Sequence, residues 1–504
     1  MRGKQAIIDL GSNTTRMLII EVLENGAYRL AEDAKYTIRL AEHMGPERTI
    51  KPAALERAAE ALRLFRAICD YHGVTSISTA ATAAVRDAAN QEEFLAALKE
   101  RAGIDFRVLS REEEAYYGYL GVVNSTDVRD AVIVDLGGGS MEITALRGRR
   151  IADSVSLPLG SVNLSERFLD PDRPTEKQLD ALEDHVRQRL KAMAWLEGWR
   201  GHEVIGIGGT CRTIGKIHQR LVNYPFDELH NYAMPPDEIA FIHNNLRSVG
   251  LEDRRAVPGL SKERADIIVG GMAVMVTLLR YLKAPRMRVS AWGLRDGIFY
   301  SGFLPQPVVD DVFAFSIDNI QRLYHLDDTH ASRVADMAVS MFDQLEEVHD
   351  AAGEDRRLLW AAAKLHESGY FYDYHNRHSH TFYNIINGTI FGLSQMETYK
   401  VAVIAALYGA GGIKGKDGYL TMLTKDENRT LKRMGVILAL ANALDRSRQG
   451  QVTGVSCSAS KSIVRVRPQV RDDGWIEMKT AEGLAQYFSK AFGRDLVVDG
   501  PEQV

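Results

Sequence analysis

The sequence predicts an α/β protein in which a duplicated domain on mixed sheets precedes a helical region and a small α/β tail. Three observations point there. The stretch IIDLGSNTTRMLII (residues 7–20) sets an acid, a glycine and small polar residues between two branched apolar runs, and VIVDLGGGSMEITAL (residues 132–146) repeats the arrangement. Two matched strand-loop-strand units indicate duplication, with a site between the copies. After about residue 306 the apolar spacing becomes helical, and KSIVRVRPQV (residues 461–470) returns to alternation.

Residues 5–22 read as strand, tight loop, strand, with Gly11, Ser12 and Asn13 as turn formers. PAALERAAEALRLFRAICDYHG (52–73) has apolar residues at helical spacing between an initial Pro and a final Gly. VTSISTAATAAVRDAAN (74–90) reads as a buried strand entering a polar loop with Arg86. QEEFLAALKERAG is a helix closed by Gly103, and IDFRVLS a strand. REEEAYYGYLGVV (111–123) is a helix with its acids in the first turn. Strands and helices mix without strict alternation, so the sheet is expected to be mixed.

The second copy begins near Arg129. It runs through a Gly160 loop, a helix from Thr175 to about Trp195, the strand and loop EVIGIGGTCRTI (203–214), helices from Pro236 onward, and MRVSAWGLRDGIFYSGFL (287–304). Two prolines make LPQPVVDD (304–311) the linker. Helices dominate residues 312–445. At the end KSIVRVRPQV is expected to turn at DDG (472–474) and return as WIEMKT, a hairpin, with AEGLAQYFSKAFG a helix after it. On the first of those strands Lys461, Arg465 and Arg467 share one face, Val464 and Val466 the other. The expected domains are therefore 1–125, 126–305, 306–450 and 451–504.

A chain of 504 residues with 45% hydrophobic and 26% charged residues has an ordinary globular composition and is long enough for several domains. No apolar run reaches the roughly 18 residues of a membrane span, and no signal-peptide pattern opens the chain; a cytoplasmic protein without a membrane partner is expected. Cys69, Cys211 and Cys457 are too few and scattered for a disulfide framework or a cysteine metal site. A net charge of −5 argues against nucleic acid as a partner. The charge is uneven, however: residues 301–360 hold 4 Lys and Arg against 12 Asp and Glu, whereas residues 361–471 hold 15 against 7. A basic surface within an acidic protein fits an anionic ligand, or simply a solvated face.

Three glycine loops follow strands: Asp9-Leu-Gly-Ser-Asn13, Asp135-Leu-Gly-Gly-Gly-Ser140 and Gly206-Ile-Gly-Gly-Thr210. Without Cβ atoms such loops bring successive N–H groups close to phosphate oxygens, and the third opens a helix whose N-terminus favours an anion. One glycine loop alone is usually a turn; the conjunction of three is what points to phosphate. Asp9 and Asp135 end apolar strands, where an unpaired carboxylate is costly, so each meets a cation or a donor. Facing carboxylates suit a hydrated Mg²⁺, with Glu142 as a third oxygen; a loop-capping hydrogen bond is the alternative for each. No serine or cysteine stands in a nucleophile elbow and no P-loop is present, so the mechanism expected on a phosphoanhydride is direct attack by water with a carboxylate base. Glu112, Glu113 and Glu114 are base candidates, or a solvated helix end. Arg86 is a phosphate clamp or a surface cation.

The paired loops resemble the superfold of acetate kinase, sugar kinases, Hsp70 and actin, with its two ribonuclease-H-like domains. Within it, DLGSNTTRMLI, ATAAVRDAAN, SREEEAYYGYLG, VDLGGGSMEI, LPLGSVNLSERF, GIGGTCRTI, ERADIIVGG and GLRDGIF, in that order over residues 5–303, resemble the exopolyphosphatase and guanosine pentaphosphate phosphohydrolase family. The rest resembles that family's long members, which append a helical HD-like domain and a small α/β tail. The resemblance implies Glu114 as catalytic base and Gly11, Ser12, Asn13, Gly137, Gly138, Gly139 and Ser140 as phosphate loops. It further implies Arg86 as the phosphate-binding arginine, Asp135 and Glu142 as the acids associated with Mg²⁺ and water, and Gly208, Gly209 and Thr210 as a third loop.

The activity so implied is Mg²⁺-dependent release of terminal orthophosphate from inorganic polyphosphate, with guanosine pentaphosphate 5′-phosphohydrolase as the alternative. A cation-lined channel favours the polymer, because repeated phosphate contacts add up. A nucleotide-gated binding protein of the Hsp70 and actin type would need an adenosine pocket, and no substrate-binding β domain follows the core; a pure sensor of phosphorylated ligands would have no use for Glu114. A homodimer through the C-terminal region is the family expectation. An active HD domain holds metal with a His, a His-Asp pair and a later Asp. Here the pair is His366-Glu367, with His375, His378 and His380 close behind and Asp445 far downstream, so the domain reads as a degenerate relative shaping a channel or dimer interface. Its basic residues Arg377, Lys414, Lys416, Arg446, Arg448, Lys461, Arg465 and Arg467 would guide the polyanion.

Overall fold

Each of the two copied loops sits inside a sheet of the same plan. In the computed structural model, which describes residues 2–42, 44–45, 47–408, 422–500 and 502–503, the first sheet contains β1 (Gly3–Leu10), β2 (Thr14–Val22), β3 (Tyr28–Thr37) and β4 (Ser76–Ala81) in the order β3-β2-β1-β4. Strands β1, β2 and β3 are antiparallel neighbours, and β4 joins β1 in parallel. The second sheet contains β5 (Ala131–Leu136), β6 (Met141–Arg147), β7 (Arg150–Leu157), β8 (Val204–Ile207), β9 (Tyr232–Met234) and β10 (Met287–Val289) in the order β7-β6-β5-β8-β10-β9. Its first four strands repeat the pairing of the first sheet, β5 standing for β1 and β8 for β4. Three antiparallel strands followed by a parallel crossover strand form the ribonuclease-H-like half.

Burial explains why the central strands were legible. In β5, Ala131, Val132, Ile133 and Val134 are buried on both faces, which a continuous apolar run requires. The first sheet packs against the Pro52–His72 helix through Ala58, Leu62 and Phe65. In the second half the Ile268–Leu282 helix is apolar nearly all round and buried on every face, the mark of a central helix.

Several segments differ from the expectation. IDFRVLS contributes only an isolated bridge, Ala81 to Val108, instead of a strand. Strand β4 is buried only at Ala80 and Ala81, and the expected polar loop after it is a helical turn, Ala83–Arg86. The helix beginning after Thr175 ends at Lys191, and a 3₁₀ turn covers Ala194–Trp199. WIEMKT is no returning strand: Trp475–Glu482 is helical, and the hairpin partner of β12 (Ile463–Val470) lies upstream, in β11 (Val452–Ala459). Strands β13 (Asp495–Val498) and β14 (Glu502–Gln503) pair β12 on its other side.

The chain divides into two compact units, Met1–Val312 and Phe313–Val504. The proline stretch expected to link them is tied to the first: Asn124 donates to the Pro307 carbonyl at 2.8 Å and accepts from the Val309 amide at 2.8 Å, and Arg149 donates to the Val309 carbonyl at 2.9 Å. The second unit is built on helices including Asp328–Gln344, Asp355–Leu365, Arg377–Ile386, Gln395–Leu407 and Lys425–Ala443, with the β11-β12-β13 sheet after them. Lys414 and Lys416 lie outside the described residues. Among those described, no helix is long and apolar enough to cross a membrane, and all three cysteines are free.

Candidate active site

The first-unit cleft is lined at once by the β1-β2 loop, the β5-β6 loop and the start of the Gly208–Leu221 helix. Both loops close the same way, the Gly11 amide donating to the Thr14 carbonyl at 3.1 Å and the Gly137 amide to the Ser140 carbonyl at 3.0 Å. They meet tip to tip, so that a Cβ on Gly139 would stand 2.8 Å from Ser12 Oγ and 3.3 Å from Ala83 Cβ. Gly208 has φ +87°, and a Cβ there would reach within 2.7 Å of Asp135 Oδ1; only glycine lets the helix start this close to the acid. Gly11, Ser12, Asn13, Gly137, Gly138, Gly139, Ser140, Gly208 and Gly209 all line the cleft, with backbone amides and a helix N-terminus suited to phosphate oxygens.

Glu114 lines it too. Its helix, Arg111–Val123, is fixed by a capping box in which Ser110 Oγ accepts from the Glu113 amide and Glu113 accepts from the Ser110 amide. Glu113 is therefore spent on the cap and on an ion pair with Arg107. Glu114, one position on, faces inward and is 9% exposed. Burial raises its pKa, opposed by Arg86, whose Nη1 donates to Glu114 Oε2 at 2.7 Å. Arg86 thus stands behind the carboxylate rather than among the residues that line the cleft, held also by the Leu109 carbonyl at 3.0 Å. Its Nε and Nη2 are buried without a hydrogen-bond partner among the described residues.

Two more acids, Asp9 and Asp135, line the cleft, and Glu142 lies opposite Asp135. Asp135 and Glu142 are directly opposed on β5 and β6, an arrangement that like charges make unfavourable. Burial, then repulsion from Glu114, raises Asp135 to about 7. Burial raises Asp9 to about 6, against the pull of Arg295. Glu142 is pushed well up by burial and by Glu114 and Asp135, although Ser156 Oγ donates to it at 2.7 Å. Asp9 Oδ1 is buried without a hydrogen-bond partner among the described residues. Acids held up chiefly by burial and then by neighbouring carboxylates, one of them with an orphaned oxygen, are what a divalent cation with oxygen preference would ionise and bind. Asp9 and Asp135 line the cleft; Glu142 and Thr210 do not. Thr210 is 1% exposed and turned toward the Ile268–Leu282 helix at Gly271.

Sequence reasoning missed the cations. Arg16, Arg212, Arg264 and Arg295 all line the cleft. Arg295 donates to Asp33 at 3.1 Å, whereas among the described residues nothing hydrogen-bonds the guanidinium of Arg16, Arg212 or Arg264. Burial, then repulsion from Arg212 and Arg295, presses Arg16 down to about 9; burial and Arg16 press Arg264 to about 10. Arg212 is lowered by burial, Arg295 and Arg264. Charges strained in this direction call for an anion. Two of the four had a local signal: Arg16 is the cross-strand partner of Asp9, and Arg212 lies one helical turn past Gly208. Arg264 and Arg295 carry no local pattern that marks chemistry.

The second unit gathers His366 and Glu367 with His330, which no sequence pattern had singled out; His375, His378 and His380 stay outside that group. Its basic residues are partly neutralised. Arg465 and Arg467 both reach Asp499, at 2.9 and 3.3 Å, and Arg448 reaches Glu367 at 2.6 Å. Arg377 lies over the Tyr374 ring at 4.4 Å. On β12 the expected faces hold, with Val464 and Val466 buried and Arg465 and Arg467 exposed.

The Ppx/GppA phosphatase family profile matches residues 19–305, and that of Ppx/GppA phosphatase domain III matches residues 312–481. The crystal structure of the Aquifex aeolicus member of the Ppx/GppA protein family is similar over 60% of this chain and 98% of its own, at 26% identity and a TM-score of 0.51. An exopolyphosphatase from Cytophaga hutchinsonii shares the fold over 60% of this chain and 97% of its own, at 23% identity and a TM-score of 0.57. An exopolyphosphatase-like protein is similar over 59% and 96%, at 25% identity and a TM-score of 0.54. With the site geometry and more than half the chain matched, this protein belongs to the Ppx/GppA phosphatase family.

Proposed function

We propose that the cleft releases terminal orthophosphate from inorganic polyphosphate by direct attack of water, with Glu114 as the base. The observation that carries this reading is a buried carboxylate facing two glycine loops in a cleft with three arginines whose guanidinium groups have no hydrogen-bond partner among the described residues. The loop amides and the Gly208–Leu221 N-terminus hold the terminal phosphoryl group. Arg16, Arg212, Arg264 and Arg295 take up the charge of the following phosphates, and Glu114 accepts a proton from the attacking water as the anhydride oxygen leaves. Arg86 opposes the rise that burial imposes on the Glu114 carboxyl and so favours its ionised form. Cys211, beside the third loop, is no rival nucleophile: burial pushes its thiol up to about 12 and it does not line the cleft.

Asp9, Asp135 and Glu142 are the residues that would hold Mg²⁺. Bound there, the ion would neutralise phosphate charge and let these carboxylates ionise. The reading also takes the protein as a cytoplasmic homodimer. Guanosine pentaphosphate is the second substrate reading, favoured by one observation. A second cavity shares Ser12 and Asn13 with the cleft and has an apolar wall of Val162, Leu169, Pro171 and Ile267, suited to a nucleoside.

Steady-state orthophosphate release from long-chain polyphosphate and from guanosine pentaphosphate, by the wild type and by Arg264→Gln, tests the choice. The polymer reading expects a higher kcat/KM on polyphosphate and a KM for it that rises about tenfold in the variant, about 1.4 kcal/mol of lost phosphate contact. A higher kcat/KM on the nucleotide would replace it with the second reading.

A further inference from the structure

We propose that the second unit contains a binding site for a first-row divalent transition ion of the Zn²⁺ or Mn²⁺ class, formed by His330, His366 and Glu367. Their donor atoms lie within 4.8 Å of one another, so that shifts of a few tenths of an ångström bring all three to the usual ~2.0–2.2 Å from one ion. His330 and His366 are 2% and 0% exposed.

A second, independent feature is the state in which the two rings are held. His366 Nδ1 lies 2.6 Å from the Ala363 carbonyl, which can only accept, so this nitrogen carries the ring proton. His330 Nδ1 lies 2.7 Å from Asp445 Oδ2, and that carboxylate is fixed in turn by Arg333 Nε at 3.0 Å. Both protons are thereby drawn away from Nε2, leaving two lone pairs that converge. Metal-ligating imidazoles are oriented in this way, by a carbonyl or carboxylate on the far nitrogen. Both Nε2 atoms also lie 3.2 Å from one atom, Asn442 Oδ1. The Asn442 side-chain oxygen is thus placed to become a further ligand of a cation held between the two rings.

The carboxylate completes the set. Glu367 Oε1 lies 3.7 Å from His330 Nε2 and takes a hydrogen bond from Arg448 at 2.6 Å, which leaves a carboxylate oxygen for the metal. Two imidazoles and one carboxylate favour a transition ion over Mg²⁺, which prefers oxygen throughout. The site therefore differs in chemistry from the all-carboxylate floor of the catalytic cleft. Asp445 acts as a positioning residue, setting the His330 tautomer.

The test is stripping of the full-length protein with a chelator, followed by titration with Co²⁺ and with Zn²⁺. The visible d–d absorption of Co²⁺ and the metal retained after desalting are the readouts, for the wild type, the His330→Gln/His366→Gln double variant and Glu367→Gln. The expected result is one tightly held equivalent in the wild type with nitrogen-ligated Co²⁺ bands, lost in the double variant. Glu367→Gln, which keeps the shape and leaves an amide oxygen for Arg448, binds at least ~10-fold more weakly. Glu142→Gln, on β6 in the first unit, retains the equivalent. Absence of a retained equivalent in the wild type, or retention undiminished in Glu367→Gln, would overturn the proposal. Circular dichroism shows whether the double variant is folded; if it is not, Glu367→Gln decides.

Discussion

Glu112, Glu113 and Glu114 follow one another in the chain yet meet three different environments. Glu112 is in solvent, its carboxyl held low by its own backbone amide and by Ser110. Glu113 closes the helix cap, and Glu114 turns into the cleft against Arg86. Helical geometry separates them, since successive positions rotate by about 100° and only one of three can face the site. The Arg86 contact has a measurable consequence. A base must be ionised to act, and Arg86 lowers the pKa that burial raises. Arg86→Gln is therefore expected to move the acid limb of the kcat/KM profile about one pH unit upward. An unmoved limb would mean that Arg86 serves the substrate alone.

At the scale of elements, the helix carrying Glu114 is pinned to the Leu294–Phe303 helix, which carries Arg295. A Cβ on Gly121 would lie 2.1 Å from the Gly293 carbonyl oxygen. Gly121→Ala is expected to destabilise the fold by about 2 kcal/mol or more, read as a lower midpoint of chemical denaturation, with activity falling as Glu114 and Arg295 separate. A second element-level expectation concerns His243, on the Pro236–Ser248 helix. It is 2% exposed, and burial, aided by Arg247 and Arg280, lowers it from 6.5 to about 4. The folded protein keeps this ring neutral at pH values where the unfolded chain protonates it, so stability is present above 6.5 and falls as pH drops toward 4. Between pH 7 and 5 the wild type should lose about 2 kcal/mol more than His243→Gln in urea unfolding; equal losses would contradict a neutral ring.

The same scale shows where sequence patterns run out. Helices with end signals, such as Pro52–His72 ending at Gly73 and Gln91–Ala102 ending at Gly103, were legible because each terminus carries its own physical mark. Strands β3 and β7 sit at sheet edges with mostly charged or half-exposed residues, so no apolar alternation announces them. WIEMKT misled because six residues cannot separate a period of 2 from one of 3.6; Glu477, buried and accepting from the Ser447 amide at 3.0 Å, belongs to a helix.

At the scale of the whole molecule, duplication was the most readable feature, because it is written twice in local sequence: β1 with its loop, and β5 with its own. That the two glycine loops and Glu114 line one cleft was in keeping with it and with the family motifs. What stayed hidden depends on residues far apart in sequence. Arg264 and Arg295 reach the cleft across long separations, and His330 meets His366 and Glu367 only once the helices pack. Nothing local distinguishes these residues from other arginines or histidines on helices.

The proposed chemistry rests on one carboxylate that activates water in this cleft. The measurement that tests it most directly is the rate of orthophosphate release from long-chain polyphosphate with Mg²⁺ present, for the wild type against Glu114→Gln. The glutamine fills the same volume, so the fold and substrate binding should persist. A fall in kcat of about 10³-fold, within the range expected for a lost general base, with KM nearly unchanged, is the predicted result. A Glu114→Gln enzyme that keeps its kcat within a factor of a few would contradict the account and return the role of base to another group.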